Sequence, residues 1–255
     1  NGVGSMFATL VVGSFLFQGS GEAGNGASAV VPYTIMGVLV LLIALVFSRV
    51  NLPEIAHDDD AETKEGGHNI SKLFSNRWFV CGLIALLAYE VAEISINSYF
   101  INFVTGEGWM DAQSASTILT IGLGVFMIAR FIGAAVMSSV AAEKYLLICG
   151  VGTVVCITLL LCDLGREVSI AALLGNYFFE AIMFPTIFSL TLRGLGGLTK
   201  SASSILMMTP VGGCGFLIMG LAADHASSFV LPFFIPLAGY AIVMAYAWSV
   251  VKKTN

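Results

Sequence analysis

Eight stretches of this chain are apolar for roughly the 20 residues that a helix needs to cross a bilayer. They run over roughly 1–18, 30–50, 77–103, 112–139, 144–162, 168–192, 201–223 and 229–251. A backbone in lipid must satisfy its own hydrogen bonds, so each is expected to be a helix. The pattern therefore predicts an all-α integral membrane fold. One long hydrophilic segment interrupts it, at 51–76. Pro53, the acidic run Asp58–Asp60 and the pair Gly66–Gly67 mark that segment as a flexible connector. The first apolar stretch opens at Asn1 with no initiator Met, no charged leader and no cleavage site. It reads as a helix entered partway, and the chain is expected to be a fragment that lacks earlier spans.

Charge orients the spans. Arg49, Lys64, Lys72 and Arg77 flank the connector; Arg130, Lys144, Arg193, Lys200, Lys252 and Lys253 fall on the same side. Arg166 stands alone on the other. The basic side is expected to be cytoplasmic by the positive-inside rule, which places the 51–76 loop and the C-terminus inside. The eight-span count keeps this alternation consistent; one helix more or fewer would scramble it.

Composition agrees with the pattern. The chain has 255 residues, 57% hydrophobic and only 11% charged, against about 25% charged in soluble domains, and its mean hydropathy is +0.91. A net charge of −5, concentrated in one loop, excludes a nucleic-acid partner. Cys81, Cys149, Cys156, Cys162 and Cys214 fall in or beside apolar runs without metal-ligand spacing and read as small core residues. His57 and His68 lie in the connector, where a solvated linker is the expected role, and Asn69-Ile70-Ser71 matches a glycosylation site on the wrong side of the membrane.

The polar residues inside spans carry the functional signal. In 168–192, Glu180 sits near the middle with Pro185 shortly after. A midspan charge costs at least about 2.5–3.5 kcal/mol, and proline removes one backbone hydrogen bond. A span that holds both is expected to face a cavity inside protein. The six spans after the connector read as two triplets, and the first of each carries the polar residues. In 77–103, Tyr89, Glu93 and Asn97 fall at i, i+4 and i+8, with Glu90 at the border; in 168–192, Asn176, Glu180 and Phe184 repeat that spacing. The other four are rich in small residues, among them Gly122, Gly124 and Gly133 in one and Gly212, Gly213, Gly215 and Gly220 in another, which allow close helix packing. The glycine cluster just after Pro210 predicts a bend. Polar lead helices in repeated triplets point to a transporter with a midplane site, where Glu93 and Glu180 are expected to face one cavity. No span holds a histidine or a nucleophile–base pair, which leaves a membrane enzyme a poor reading.

Several of these runs resemble one family. Met183-Phe184-Pro185-Thr186-Ile187-Phe188-Ser189-Leu190 followed by Gly194-Leu195-Gly196 is similar to the tenth-span signature of the fucose–proton symporter family of the major facilitator superfamily. The run from Tyr89 through Asn102 resembles the seventh span, Arg130-Phe131-Ile132-Gly133 its G-R-F-x-G motif, Val211-Gly212-Gly213 its eleventh, and Asn1-Gly2-Val3-Gly4 the opening of its fifth. Glu93 and the Met-Phe before Pro185 are closer to its glucose/galactose branch. The resemblance implies spans five to twelve of a twelve-span major facilitator fold. Residues 1–50 would be the last two helices of the N-terminal bundle, 51–76 the cytoplasmic inter-bundle loop, and 77–255 the C-terminal six-helix bundle.

It also implies a function: hexose uptake (glucose, galactose or fucose) by symport through alternating access, as a monomer in the cell membrane. No cofactor is expected. The coupling ion is expected to be the proton, although the family's coupling carboxylates belong to its first and fourth spans. Expected sugar contacts are Asn1, Glu93, Asn97, Asn102, Asn176, Tyr177, Glu180 and Phe184; Arg130, Pro185, Gly212 and Gly213 are expected to serve conformational change. Each Asn is equally a candidate for helix–helix bonding. The chain departs from the family at Glu90, usually apolar, at Val91 and Ala129, both usually Gly, and at Glu180, which the glucose/galactose branch tends to replace with Asn. The extra acids keep open an organic-cation or multidrug exporter; a non-transporting membrane sensor is a further alternative.

Overall fold

The structure is a computed structural model that describes residues 4, 26–49 and 66–254. The first apolar stretch, apart from Gly4, and Asn1 with it, lies outside the described residues. The helices are α1 (Gly26–Arg49), α2 (Gly66–Ser75), α3 (Arg77–Gly106), α4 (Ala112–Val136), α5 (Ala142–Leu161), α6 (Arg166–Glu180), α7 (Met183–Leu192), α8 (Thr199–Leu206), α9 (Gly215–His225) and α10 (Phe234–Thr254). Short 3-10 turns at Gly196–Leu198, Thr209–Cys214 and Leu231–Phe233 join the later ones. There is no strand among the described residues. Among the described residues, six segments are long and apolar enough to cross a membrane: 77–106, 112–136, 142–161, 166–192, 196–225 and 231–254. They correspond one for one to the six spans expected after the connector, and the protein is a multi-pass membrane protein. Helix α1 matches the span expected at 30–50, and its described side chains are exposed.

Caps fix where the spans begin. The Asn76 side chain accepts from the Trp78 N–H at 3.0 Å and starts α3. Asp111 does the same for α4, accepting from the N–H groups of Gln113 and Ser114 at 3.1 and 3.2 Å and from the Ser114 hydroxyl at 2.7 Å. Those bonds favour the charged form, and the Ser114 hydroxyl first among them holds the Asp111 carboxyl below its usual range.

The connector differs from its expectation at its end, because residues 66–75 are helical. Leu73 is fully buried there, and Phe74 meets Phe79 edge-on at 6.1 Å, so tertiary contact holds a turn that composition alone marks as linker.

Helix α3 is the central post of the bundle, packing on α4, α7, α9, α10 and the Thr209–Cys214 turn. Small residues set the spacing of these contacts. A Cβ at Gly122 of α4 would stand 2.6 Å from the Tyr177 ring of α6. One at Gly212 would stand 3.0 Å from the Leu87 carbonyl of α3. At the basic end, Arg193 pairs with the buried Glu143 at 3.2 Å and ties the end of α7 to α5.

The span expected at 168–192 is two helices. It stops at Glu180 and resumes at Met183, and Pro185 has no N–H to offer the Ala181 carbonyl four residues before it. The span that holds Gly212 and Gly213 is likewise divided, with the Thr209–Cys214 turn between α8 and α9. Pro210 starts that turn, and Gly212 is buried against α3.

Candidate functional site

The polar residues of the two lead spans meet midway along the bundle. Tyr89, on the buried face of α3, donates its hydroxyl to the Glu180 backbone carbonyl at 3.3 Å. One turn along α3 is Glu93, part-exposed, whose carboxylate neighbours the same hydroxyl. Another turn brings Asn97, also part-exposed, whose Oδ1 accepts from the Tyr177 hydroxyl of α6 at 2.8 Å. The i, i+4, i+8 spacing on α3 thus puts three polar groups against α6.

On α6, Asn176 and Glu180 are one turn apart and both fully buried. The Asn176 Nδ2 donates to Glu180 Oε2 at 2.8 Å and reaches the Tyr240 hydroxyl at 3.2 Å. Tyr240 of α10 in turn donates to the same Oε2. Two oxygens in this knot have no hydrogen-bond partner among the described residues, Asn176 Oδ1 and Glu180 Oε1.

Arg130 of α4 completes the arrangement. Its Nε donates to the Ala181 carbonyl at 2.8 Å. Ala181 is four residues before Pro185, so this is the carbonyl that proline leaves without a helical donor. The guanidinium also lies over the Phe126 ring at 4.6 Å. Its charge is within electrostatic reach of both Glu93 and Glu180, which act on each other as well, while Glu90 neighbours Glu93. Two carboxyls, Glu93 and Glu180, therefore share one guanidinium.

The expected site residues separate by exposure. Glu93, Asn97 and Phe184 are part-exposed; Asn176, Tyr177 and Glu180 are buried behind them. Phe184 falls in α7, beyond the break, so it does not continue the helical row of Asn176 and Glu180; it packs instead on Tyr89 at 6.4 Å and stacks on Phe188 at 6.3 Å. Asn102 is exposed on α3, with no bond to this cluster among those described. Pro185 is exposed at the start of α7. Sequence reasoning missed Tyr240. A tyrosine in the middle of an apolar span, away from the interfaces where tyrosines concentrate, was the available signal. No group of acids, cysteines and histidines among the described residues is placed to hold a metal ion.

No family model matches the chain. Individual proteins do. It is 32% identical over 234 residues to a candidate glucose/galactose transporter of Helicobacter pylori strain J99, which covers 90% of this chain and 56% of that protein. It is 31% identical to the glucose/galactose transporter of Brucella abortus (84% of this chain, 52% of that protein) and 31% identical to the L-fucose-proton symporter of Escherichia coli (85% and 50%). The chain thus spans about half the length of these relatives. Among solved structures it is similar to the Escherichia coli fucose symporter, a major facilitator superfamily transporter in the outward conformation, with TM-score 0.69 and 29% identity over 88% of this chain and 55% of that one. With sequence and fold pointing the same way over most of its length, the chain belongs to the major facilitator superfamily, in the group of these glucose/galactose transporters and fucose–proton symporters.

Proposed function

We propose that this chain is part of a sugar transporter that takes up a hexose by proton symport through alternating access. One observation supports it most: a part-exposed polar row, Glu93 and Asn97, beside the ring of Phe184, at midspan of a major facilitator bundle. A neutral sugar needs hydrogen-bonding groups for its hydroxyls and an apolar or aromatic face for its ring. Glu93 and Asn97 supply the first and Phe184 the second. Asn102, further along α3, and Asn1 complete the proposed contacts. Asn176 and Tyr177 hold this face from behind, Tyr177 through its bond to Asn97.

In this reading, 77–255 is the second bundle, 1–50 the last two helices of the first, and 51–76 a cytoplasmic loop between them. The bundles rock about the fixed site, with the break at Pro185 and the turn at Gly212 and Gly213 as the bending places. The transporter works as a monomer in the cell membrane with the proton as coupling ion. Uptake of labelled hexose into vesicles bearing the complete protein tests it directly. Uphill uptake that a protonophore collapses is the expected result; uptake indifferent to the protonophore removes the symport reading. Two midspan acids at one arginine, with Glu90 beside Glu93, favour a second reading, an organic-cation or multidrug exporter, which proton-driven efflux of an organic cation with no hexose uptake would establish instead.

A further inference from the structure

We propose that Glu180 is a proton-binding site of this bundle, and that the proton it holds is linked to the helix break at Pro185. The inference rests on the transport reading above but concerns Glu180, an acid that the resemblance to the glucose/galactose branch does not imply.

The Glu180 carboxyl is fully buried midway along its span, and its two oxygens are treated unequally. Oε2 accepts from Asn176 Nδ2 and from the Tyr240 hydroxyl; Oε1 has no partner among the described residues. That is the pattern of a neutral carboxylic acid, with Oε2 as the carbonyl oxygen and the proton on Oε1. An ionised carboxylate would leave half its charge on a bare, desolvated oxygen, the more costly arrangement. No cation forms an ion pair with it among the described residues.

The groups facing it come from every helix around it. From α3 there are Tyr89 and Glu93, with Glu90 beside Glu93; from α4, Arg130; from α6 itself, Asn176 and Tyr177; from α10, Tyr240. Cys156 of α5 packs at Gly175, on the same helix as Glu180. With the two carboxyls Glu93 and Glu180 in reach of the one guanidinium, the group is balanced only when one of the two acids carries a proton. Of the two acids that share Arg130, Glu93 is part-exposed and Glu180 is buried.

The link to the break is geometric. The Glu180 carbonyl accepts from Tyr89, and the next carbonyl, that of Ala181, is held by Arg130. When Glu180 gives up its proton, the new carboxylate attracts Arg130, the same group that satisfies the broken turn. Arg130 must then divide its bonds between a charged oxygen and the Ala181 carbonyl. Release of the proton therefore loosens the cap on the break, and an intact cap favours the protonated form.

Infrared difference spectra of the complete, sugar-free protein between acid and alkaline pH read the carboxyl C=O band directly. The band is expected to vanish in Glu180→Gln and to shift in Tyr240→Phe, which removes one of the two donors to Oε2. A band untouched by either change overturns the assignment, and so does an absent band in the unaltered protein. If Glu180→Gln fails to elute as a folded species, the Tyr240→Phe shift alone decides. In proteoliposomes, Glu180→Gln should lower uphill accumulation far more than sugar exchange at equal concentrations. Equal loss of both, together with lost sugar binding, places Glu180 in the sugar site and overturns the proposal. A protein that exchanges no hexose but keeps the Glu180 band refutes the sugar reading and leaves the proton site standing.

Discussion

Arg130 and Pro185 should behave as one unit although they lie on different helices. Proline has no N–H to offer the Ala181 carbonyl, and Arg130 Nε supplies the donor at 2.8 Å. In Arg130→Ala the carbonyl of Ala181, a buried residue, loses that donor. A hydrogen bond to a charged group contributes about 1.5–3 kcal/mol. The guanidinium over the Phe126 ring, 4.6 Å away, adds about 0.5–1 kcal/mol. Arg130→Ala alone should therefore cost about 2–4 kcal/mol. In a Pro185→Ala background, residue 185 has an N–H that can close the ordinary helical bond to Ala181, so Arg130→Ala then loses only the ring contact. The double-mutant cycle should give a coupling of about 1.5–3 kcal/mol, with the double mutant more stable than the two costs added. Thermal unfolding of the four purified variants in detergent measures it. Additive costs would refute the reasoning, since they would mean that arginine and proline do not share the carbonyl. Transport should follow the same logic: Arg130→Ala slows it while equilibrium sugar affinity changes little.

Gly122→Ala should destabilise by about 1–3 kcal/mol, because the added carbon would meet the buried Tyr177 ring at 2.6 Å. Gly213→Ala, whose nearest neighbour is 3.8 Å away, should not, and unfolding midpoints that rank the two the other way would contradict the packing argument. Glu93→Gln should weaken sugar binding roughly ten- to hundredfold by removing a charge-assisted hydrogen bond; wild-type binding and accumulation would make Glu93 structural. The cap at Asp111 depends on pH. Its carboxyl is held below the usual range in the fold, so the cap is complete at neutral pH and is lost as pH falls through that lowered range. Protection of the Gln113 and Ser114 amides, taken relative to their intrinsic exchange rates, should fall there and not on the alkaline side. Cysteines placed in 51–65 or at the C-terminus should resist labelling from outside intact cells; labelling at either reverses the orientation.

By itself the sequence determined the class and the spans. Runs of about 20 apolar residues admit only helices in a bilayer, and that argument is local, so the six later spans emerged in register. The rows Tyr89–Glu93–Asn97 and Asn176–Glu180 were legible for the same reason, since residues four apart share a helix face whatever surrounds them. Even Pro185 announced that one carbonyl would be left open. What no local pattern contained was the partner. That Arg130, 51 residues earlier, supplies the donor to Ala181, and that Tyr240, 60 residues later, bonds Glu180, follow only when α4, α6 and α10 are packed together. The break between Glu180 and Met183 also took Phe184 out of the row to which its spacing assigned it and set it against Tyr89. Helix 66–75 was hidden for a related reason: its composition is that of a linker, and the burial of Leu73 against the bundle holds it. Periodicity tells which side chains share a face; only tertiary packing decides what that face meets, and therefore which acid is part-exposed and which is sealed in the bundle.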